Sequence, residues 1–493
     1  MSELEGTSTA AREASIFTVA GDGTDDSYGD DGPAVKAALY RPLGTALDSD
    51  GNLYIADTEN DRVRRVDAQT ETITTVAGNG NRGFGGDDGL AIEAALNAPT
   101  RIALDSDGNL YIADSGNNRV RRVDAQTQTI TTVAGHYHGD YFAGDGGPAV
   151  EAYLVRPNGV AVDSEGNLFI ADTKNNRVRR VDAATQTITT VAGNGNEGYG
   201  GDDGPAVEAA LNFPRDVAVD SEGNLYIADQ WNRRVRRVDA ATQTITTVAG
   251  DGSSGFAGDD GPAVKARLDR PTGVAVDSEG NLYIADTENH RVRRVDAVTE
   301  TITTVAGDGT EAFAGDGGPA VEAALDTPGD VVVGSGGSLY IADTDNNRIR
   351  KVEGVPAPAR FSVSPGGPVT LVRAGASGYA GVVLQNVGDG DVPSQKVRVT
   401  LPQGLQFTSD RLVVGVMQGT QWKEMGSYQG TLTPDGRTLA FQRVDLALPS
   451  KGAKSGALVE VNASADAPLG DSTLGFRVGG QTSRSSTIHV VAQ

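Results

Sequence analysis

Residues 271–307 read PTGVAVDSEGNLYIADTENHRVRRVDAVTETITTVAG. Four runs in this stretch, VAVD, LYIAD, RVRRV and TITTV, are short, rich in Val, Ile, Thr and Tyr, and separated by Asp, Ser, Asn and Gly. That is the pattern of β-strands joined by tight turns. Gly280 stands in the first turn, where left-handed backbone is needed. The segment therefore predicts one small sheet of four antiparallel strands, too small to bury both of its faces alone.

The stretch recurs. The tetrapeptide YIAD or FIAD ends at Asp57, Asp114, Asp172, Asp229, Asp286 and Asp343, at intervals of 57 or 58 residues. Sheets of this size, repeated at a fixed period, bury their faces by stacking around an axis, so the expected fold is all-β, beginning with a six-bladed β-propeller. The sixth unit has DVVVG, SLYIAD and RIRKVE but no TITTVAG, while Ser15–Gly21, SIFTVAG, is a spare copy of the missing run. Residues 1–354 are thus expected to form a ring in which residues 15–21 supply the outer strand of blade six, against Arg348–Val352. An unpaired edge there would invite aggregation.

Composition bounds the chemistry. The 493 residues include no Cys and 4 His, which excludes disulfides, thiolate metal sites and cysteine nucleophiles. The net charge is −24, and it is uneven: −27 over residues 1–354 and +3 over residues 355–493. Such a ring repels phosphate backbones and anionic lipid, so nucleic acid and membrane are not expected partners. No run approaches the roughly 18 apolar residues of a spanning helix. MSELEGTSTAAREAS at the start has no hydrophobic signal core. The expectation is a soluble, cytoplasmic monomer.

Past Gly354, VPAPA (residues 355–359) reads as a short stiff linker. Residues 360–493 alternate strand-like runs such as AGVVLQN, KVRVTLP and ALVEVNASA with Gly, Pro and Asp turns, which predicts an antiparallel β-sandwich.

The pattern PxGVAVD…GNLYIADxxNxRVRRV resembles NHL repeats. With the connection VAGxGxxGxxGDDGPAVxAxL it is similar to the bacterial and teneurin-type versions, over about residues 15–354. The resemblance implies a propeller whose relatives serve as protein-, RNA- or sugar-binding surfaces and, in some cases, as enzymes. The run VVLQNVGDGDVPSQKVRVTLPQGLQF resembles bacterial immunoglobulin-like domains of surface and adhesive proteins.

Residues repeated in every blade read as structural. Asp57, Asn60 and Arg62 and their equivalents suit a hydrogen-bonded turn, and Arg pairs such as Arg64-Arg65 suit intramolecular partners for Asp. The Asp-Asp-Gly-Pro of the connections, as at Asp30–Pro33, reads as a cap on a single helical turn with Val35 and Leu39 on one side, with calcium binding as the alternative. A ligand bound once on a sixfold scaffold must be recognised by residues that differ between blades. Those are His136, Tyr137, His138, Tyr141 and Phe142 in the third connection, and Trp231 near Phe213 on blade four. His136 and His138 could also clip a metal with Asp140. At the axial mouth, Asn158, Asp216 and Asp330 resemble the calcium site of gluconolactonase- and paraoxonase-like enzymes, although Arg101 and Arg215 beside them favour ion pairing. The leading reading is a non-enzymatic module without cofactor that contacts a protein or glycan. The alternative is a calcium-dependent hydrolase or lyase working at the axial mouth.

Overall fold

The computed structural model describes residues 14–136 and 141–355 and, further on, the strand residues between Phe361 and Val491. It divides into two compact units, Arg12–Val355 and a second that takes in the chain from Pro356.

In the first unit each repeat forms a four-stranded antiparallel sheet. Blade five runs from the innermost strand Gly273–Val276 through Leu282–Asp286 and Arg291–Val295 to the outermost, Thr301–Ala306. The turn at Gly280 has φ +82°, the left-handed backbone its position requires. All of LYIAD in this blade is buried, because side-chain alternation sends successive residues into two different cores. Leu282 and Ile284 pack with Tyr226 and Ala228 of blade four, whereas Tyr283 packs with Val331, Leu339 and Ile341 of blade six. The hydrophobic core thus lies between blades, and no blade owns one.

The inner strands pack in a complete cycle, the sixth against the first. The Arg41 N–H donates to Asn347 Oδ1 at 2.8 Å and the Thr344 hydroxyl to the Pro42 carbonyl at 2.8 Å, which join the last blade to the first. This is the arrangement of a six-bladed β-propeller, a ring of separate sheets and not one sheet closed on itself. The strand Ser15–Ala20 pairs antiparallel with Arg348–Glu353 and completes blade six. Its other edge is held too: the Gly317 N–H donates to the Ile16 carbonyl at 2.8 Å and the Ile16 N–H to that of Gly318 at 3.1 Å.

The acidic connections lie along the outer strands. Each runs down the outer strand of the following blade and covers its edge. In blade one Gly32–Pro33 pairs as a two-residue strand with Thr72 and Ile73, and in blade two the Ala91 N–H donates to the Gln128 carbonyl at 2.9 Å. The helical turn is a three-residue 3-10 segment, Ala34–Lys36, with no side-chain cap; Leu39 is buried and Val35 is exposed. Capping and a shared Val35–Leu39 side are therefore corrected, because the Asp30 side chain is engaged by Arg64 and Thr75.

From Phe361 to Val491 the strands form sheets of five, three and five members. Their pairings are antiparallel except that Val369–Val372 runs parallel to Ile488–Val491. Strands so far apart in sequence are free of the hairpin constraint that imposes antiparallel order. Among the described residues no helix is long and apolar enough to cross a membrane.

Candidate functional site

The third strand of every blade carries an Arg that is wholly buried: Arg64, Arg121, Arg179, Arg236, Arg293 and Arg350. A buried guanidinium must be met by carboxylates and carbonyls. Arg64 takes Asp30 of the connection, at 3.0 Å from Nε and 2.7 Å from Nη2, and Asp57 at 3.3 Å from Nη1. Asp30 also accepts the Thr75 hydroxyl at 2.7 Å. The first Asp of each Asp-Asp-Gly or Asp-Gly-Gly motif is thus the clamp that fastens the connection to its blade, as the ion pairs of Asp87, Asp145, Asp202, Asp259 and Asp316 repeat. These carboxylates have their partners within the fold, so the calcium alternative finds no ligand set in them.

Asp57 bonds the Asn60 side chain of its own turn and not the turn's backbone. It accepts the Tyr40 N–H at 2.8 Å and the Asn60 amide at 2.9 Å, tying the connection to the loop that follows. Burial pushes Asp57, Asp114, Asp172, Asp229, Asp286 and Asp343 up to about 6, against the pull of the hydrogen bonds and of the paired Arg. Between their ordinary value of 3.8 and about 6 the native ring therefore holds protons that the unfolded chain releases, so stability rises as pH falls through that window. Asp67, Asp124, Asp182 and Asp239, held low chiefly by backbone N–H donors, lose their contribution only below it. Calorimetry should find a higher Tm near pH 5 than near pH 7.5; a Tm that falls steadily over that range would contradict the burial argument.

A second repeated contact pairs an Arg with an aromatic ring. Arg119, Arg177, Arg234, Arg291 and Arg348 lie over Phe84, Phe142, Tyr199, Phe256 and Phe313, with 3.7–3.9 Å to the ring centroids. The signal was present, since an aromatic stands three residues before the clamp Asp in every connection but the first. Phe142 belongs to this series, with Arg177 over one face of its ring.

The other candidates fall in two places. On the third connection His136 is exposed, with its ring 6.5 Å from Tyr153, and exposed Tyr141 meets Tyr153 edge-on at 5.1 Å. Tyr137, His138 and Asp140 lie outside the described residues. On blade four, Trp231 at the tip of the loop between second and third strands is 46% exposed and meets Phe213 edge-on at 6.2 Å. The neighbouring Arg233 and Arg234 face elsewhere, Arg233 to Asp269 and Arg234 to Tyr199. Arg270 covers it instead, 4.8 Å from the ring. Where blade four has Trp231, other blades have ion pairs: Glu59 with Arg82, Glu288 with Arg270, and Asp345 with Arg41.

At the axis the structure brings Asp216 and Asp330 together around Arg101. The Arg101 Nε lies 3.6 and 3.5 Å from the two carboxylates, as an ion pair. Its terminal nitrogens reach the carbonyls of Leu43, of Thr272 at 2.8 Å and of Gly329 at 2.5 Å, so one side chain ties blade two to blades one, four, five and six. Asn158 is not with them: its amide donates to the Arg156 carbonyl at 3.0 Å and to the Thr173 hydroxyl at 3.1 Å. The three residues do not fit a calcium site, because a guanidinium stands between the carboxylates and the amide is turned away. Above this plug the lip of the channel is built from six residues with left-handed backbone, Arg41, Ala98, Arg156, Phe213, Arg270 and Thr327, at φ from 43° to 59°. Most are held by a side chain of the preceding blade, as the Phe213 N–H is by Asn176 Oδ1 at 2.8 Å. Arg215, two positions past the lip residue Phe213, is partly buried and still reached by solvent. Burial, reinforced by Arg101, pushes its guanidinium down to about 10.

Residues 39–65, 96–123, 154–181, 211–237, 268–295 and 325–352 match the NHL repeat. The chain carries six NHL repeats. Each match covers the three inner strands and leaves the outer strand and most of the clamped connection outside it. This NHL ring is 30% identical over 278 residues to Protein SUPPRESSOR OF QUENCHING 1, chloroplastic, of Arabidopsis thaliana, covering 54% of this chain and 26% of that protein. It is 27% identical over 303 residues to NHL repeat-containing protein 2 of Bos taurus, covering 55% and 41%. The chain thus spans less than half the length of these curated relatives. A solved structure from Bacteroides thetaiotaomicron, a structural genomics protein of unknown function, shares the fold with a TM-score of 0.52 at 22% identity, over 69% of this chain and 75% of that one.

Proposed function

We propose that this NHL ring is a non-enzymatic binding module whose loop face, centred on Trp231 and Phe213, contacts a protein or glycan partner. The observation that carries the reading is that blade four alone places a half-exposed Trp where three other blades place a surface ion pair. Aromatic rings supply large contact area with little loss of side-chain freedom and dominate binding hot spots, and NHL repeats commonly mediate protein interactions. His136, Tyr141 and Tyr153 form a second, smaller aromatic patch. The sheets of residues 360–493, joined through residues 355–359, act in this reading as an immunoglobulin-like spacer or second adhesive unit.

The test is capture of partners on immobilised full-length protein and on glycan arrays. Trp231→Ala should weaken capture by about 2 kcal/mol or more, roughly thirtyfold, with an unchanged Tm because the ring is at the surface. Capture that survives both Trp231→Ala and Tyr141→Ala would refute the choice of surface.

A further inference from the structure

The joint between blades five and six is fastened by a different chemistry from its counterparts. At four of the joints the left-handed lip residue donates its N–H to a side-chain oxygen of the preceding blade: Ala98 to Asp61, Arg156 to Asn118, Phe213 to Asn176 and Arg41 to Asn347, each at 2.8 Å. At Thr327 the acceptor is a ring nitrogen, the Nδ1 of His290, at 3.1 Å. An Asn oxygen accepts at any pH, whereas an imidazole nitrogen accepts only while it carries no proton. The same Nδ1 lies 3.7 Å from Asp326 Oδ1. That oxygen is buried and has no hydrogen-bond partner among the described residues. Thr327 is also the one β-branched residue of the lip, at φ 43°, a conformation that such side chains avoid.

We infer that His290 is an acid-sensitive latch on the channel lip: neutral, its Nδ1 holds the Thr327 N–H, and protonated, it gives up that bond and donates to Asp326 instead. The neutral ring carries its proton on Nε2, as an acceptor at Nδ1 requires. A proton taken up from water at Nδ1 turns that acceptor into a donor, and two donors do not bond, so the Thr327 N–H loses its partner. The surrounding charges leave Asp326 to receive the new donor. Asp345 and Glu311 face Asp326 together with His290, and Asp345 is already held by Arg41 and by the Thr327 hydroxyl. On the loop of His290 itself, Glu288 pairs with Arg270 and Arg291 lies over Phe256; Asp308 of the connection accepts the Thr310 N–H. Among the described residues no Arg or Lys pairs with Asp326. Burial, with Asp345 and Glu311 nearby, holds its carboxyl above the usual range, and His290 pulls it down. Once its N–H is released, Thr327 loses the bond that keeps it in the left-handed region, and the inner strand that begins one residue later, Pro328–Val333, carries Asp330 of the axial plug. The latch therefore couples acidity to the lip of the channel, independently of the Trp231 surface.

The test follows the full chain between pH 8 and pH 5, the range in which an imidazole titrates. Nuclear magnetic resonance of histidine-labelled protein reads the ring, and deuterium exchange with mass spectrometry reads residues 325–331. At pH 8 the His290 signal, identified by its loss in His290→Asn, should show the tautomer protonated on Nε2. Exchange in residues 325–331, corrected for the intrinsic pH dependence of amide exchange, should rise about tenfold on going to pH 5 as one hydrogen bond is lost. The sign is distinctive, because burial of the repeated Asp residues makes the ring as a whole more stable over the same interval. His290→Asn, which installs the residue found at this position in blades two, three and six, should keep the segment protected throughout. Asp326→Asn removes the charge that receives the imidazolium and should move the midpoint of the rise to lower pH. A proton on Nδ1 at pH 8, no rise in the parent, the same rise in His290→Asn, or a midpoint untouched by Asp326→Asn would overturn the latch.

Discussion

Replacing Arg101 by Met should destabilise the ring by about 3–5 kcal/mol, the usual consequence of removing one partner from a buried ion pair. The side chain is 6% exposed and its guanidinium is shared by two carboxylates and three carbonyls drawn from four other blades. Without it, Asp216 and Asp330 face each other across a channel from which water is largely excluded. Burial already pushes Asp216 up to about 6 and raises Asp330, with Arg101 the chief force holding both down. In Arg101→Met both should climb further, so the loss measured by denaturant titration should be larger at pH 8 than at pH 5. Adding Asp216→Asn and Asp330→Asn to Arg101→Met should restore much of the stability, because the harm lies in uncompensated charge. A single variant that melts like the parent at pH 8 would show that the axial residue is an ornament of the channel.

Removal of residues 1–21 should be more damaging still. The strand Ser15–Ala20 is hydrogen-bonded along both edges, to Arg348–Glu353 and to the connection at Gly317 and Gly318. Ile16 is fully buried with Val331, Leu339, Ile341 and Val352. The deletion would expose that core together with an unpaired edge, and it would free the end of blade six where the ring is joined only by side-chain and loop contacts. The expected result is insoluble protein, or a broad transition at much lower temperature. Ile16→Ala, which keeps the strand and removes only its buried side chain, should cost about 2–5 kcal/mol with a cooperative transition preserved. A truncated chain that melts sharply at the parental temperature would mean that the last blade does not need its fourth strand.

The two residues at the heart of these predictions were unequally visible beforehand. Residues 15–21 announced themselves as the one TVAG run without a blade, next to the one blade without a TVAG run. The sequence sets Arg101 beside Asp216 and Asp330 at the axial mouth and favours its ion pairing with them. Its reach across the axis to Leu43, Thr272 and Gly329 is not legible there, because those contacts join positions 58 to 228 residues apart. In sequence Asp30 looks like a cap for a related reason. Its partner Arg64 lies 34 residues away, and only the descent of the connection along the outer strand brings them together. Phe142 stands apart in the sequence because a longer connection hides its equivalence to Phe84, Tyr199, Phe256 and Phe313.

Whatever is local and repeated was already present in the amino-acid order: four strands per unit, six units, the glycine turns and the spare closing strand all follow from short-range backbone preference and periodic burial. What required the folded molecule is the direction of each long polar side chain, since a guanidinium finds its carboxylate by distance in space and any of several Asp residues satisfies the same pattern. That is why Asp30 could be assigned to Arg64, and Asp216 and Asp330 to Arg101, only once the blades stood next to one another.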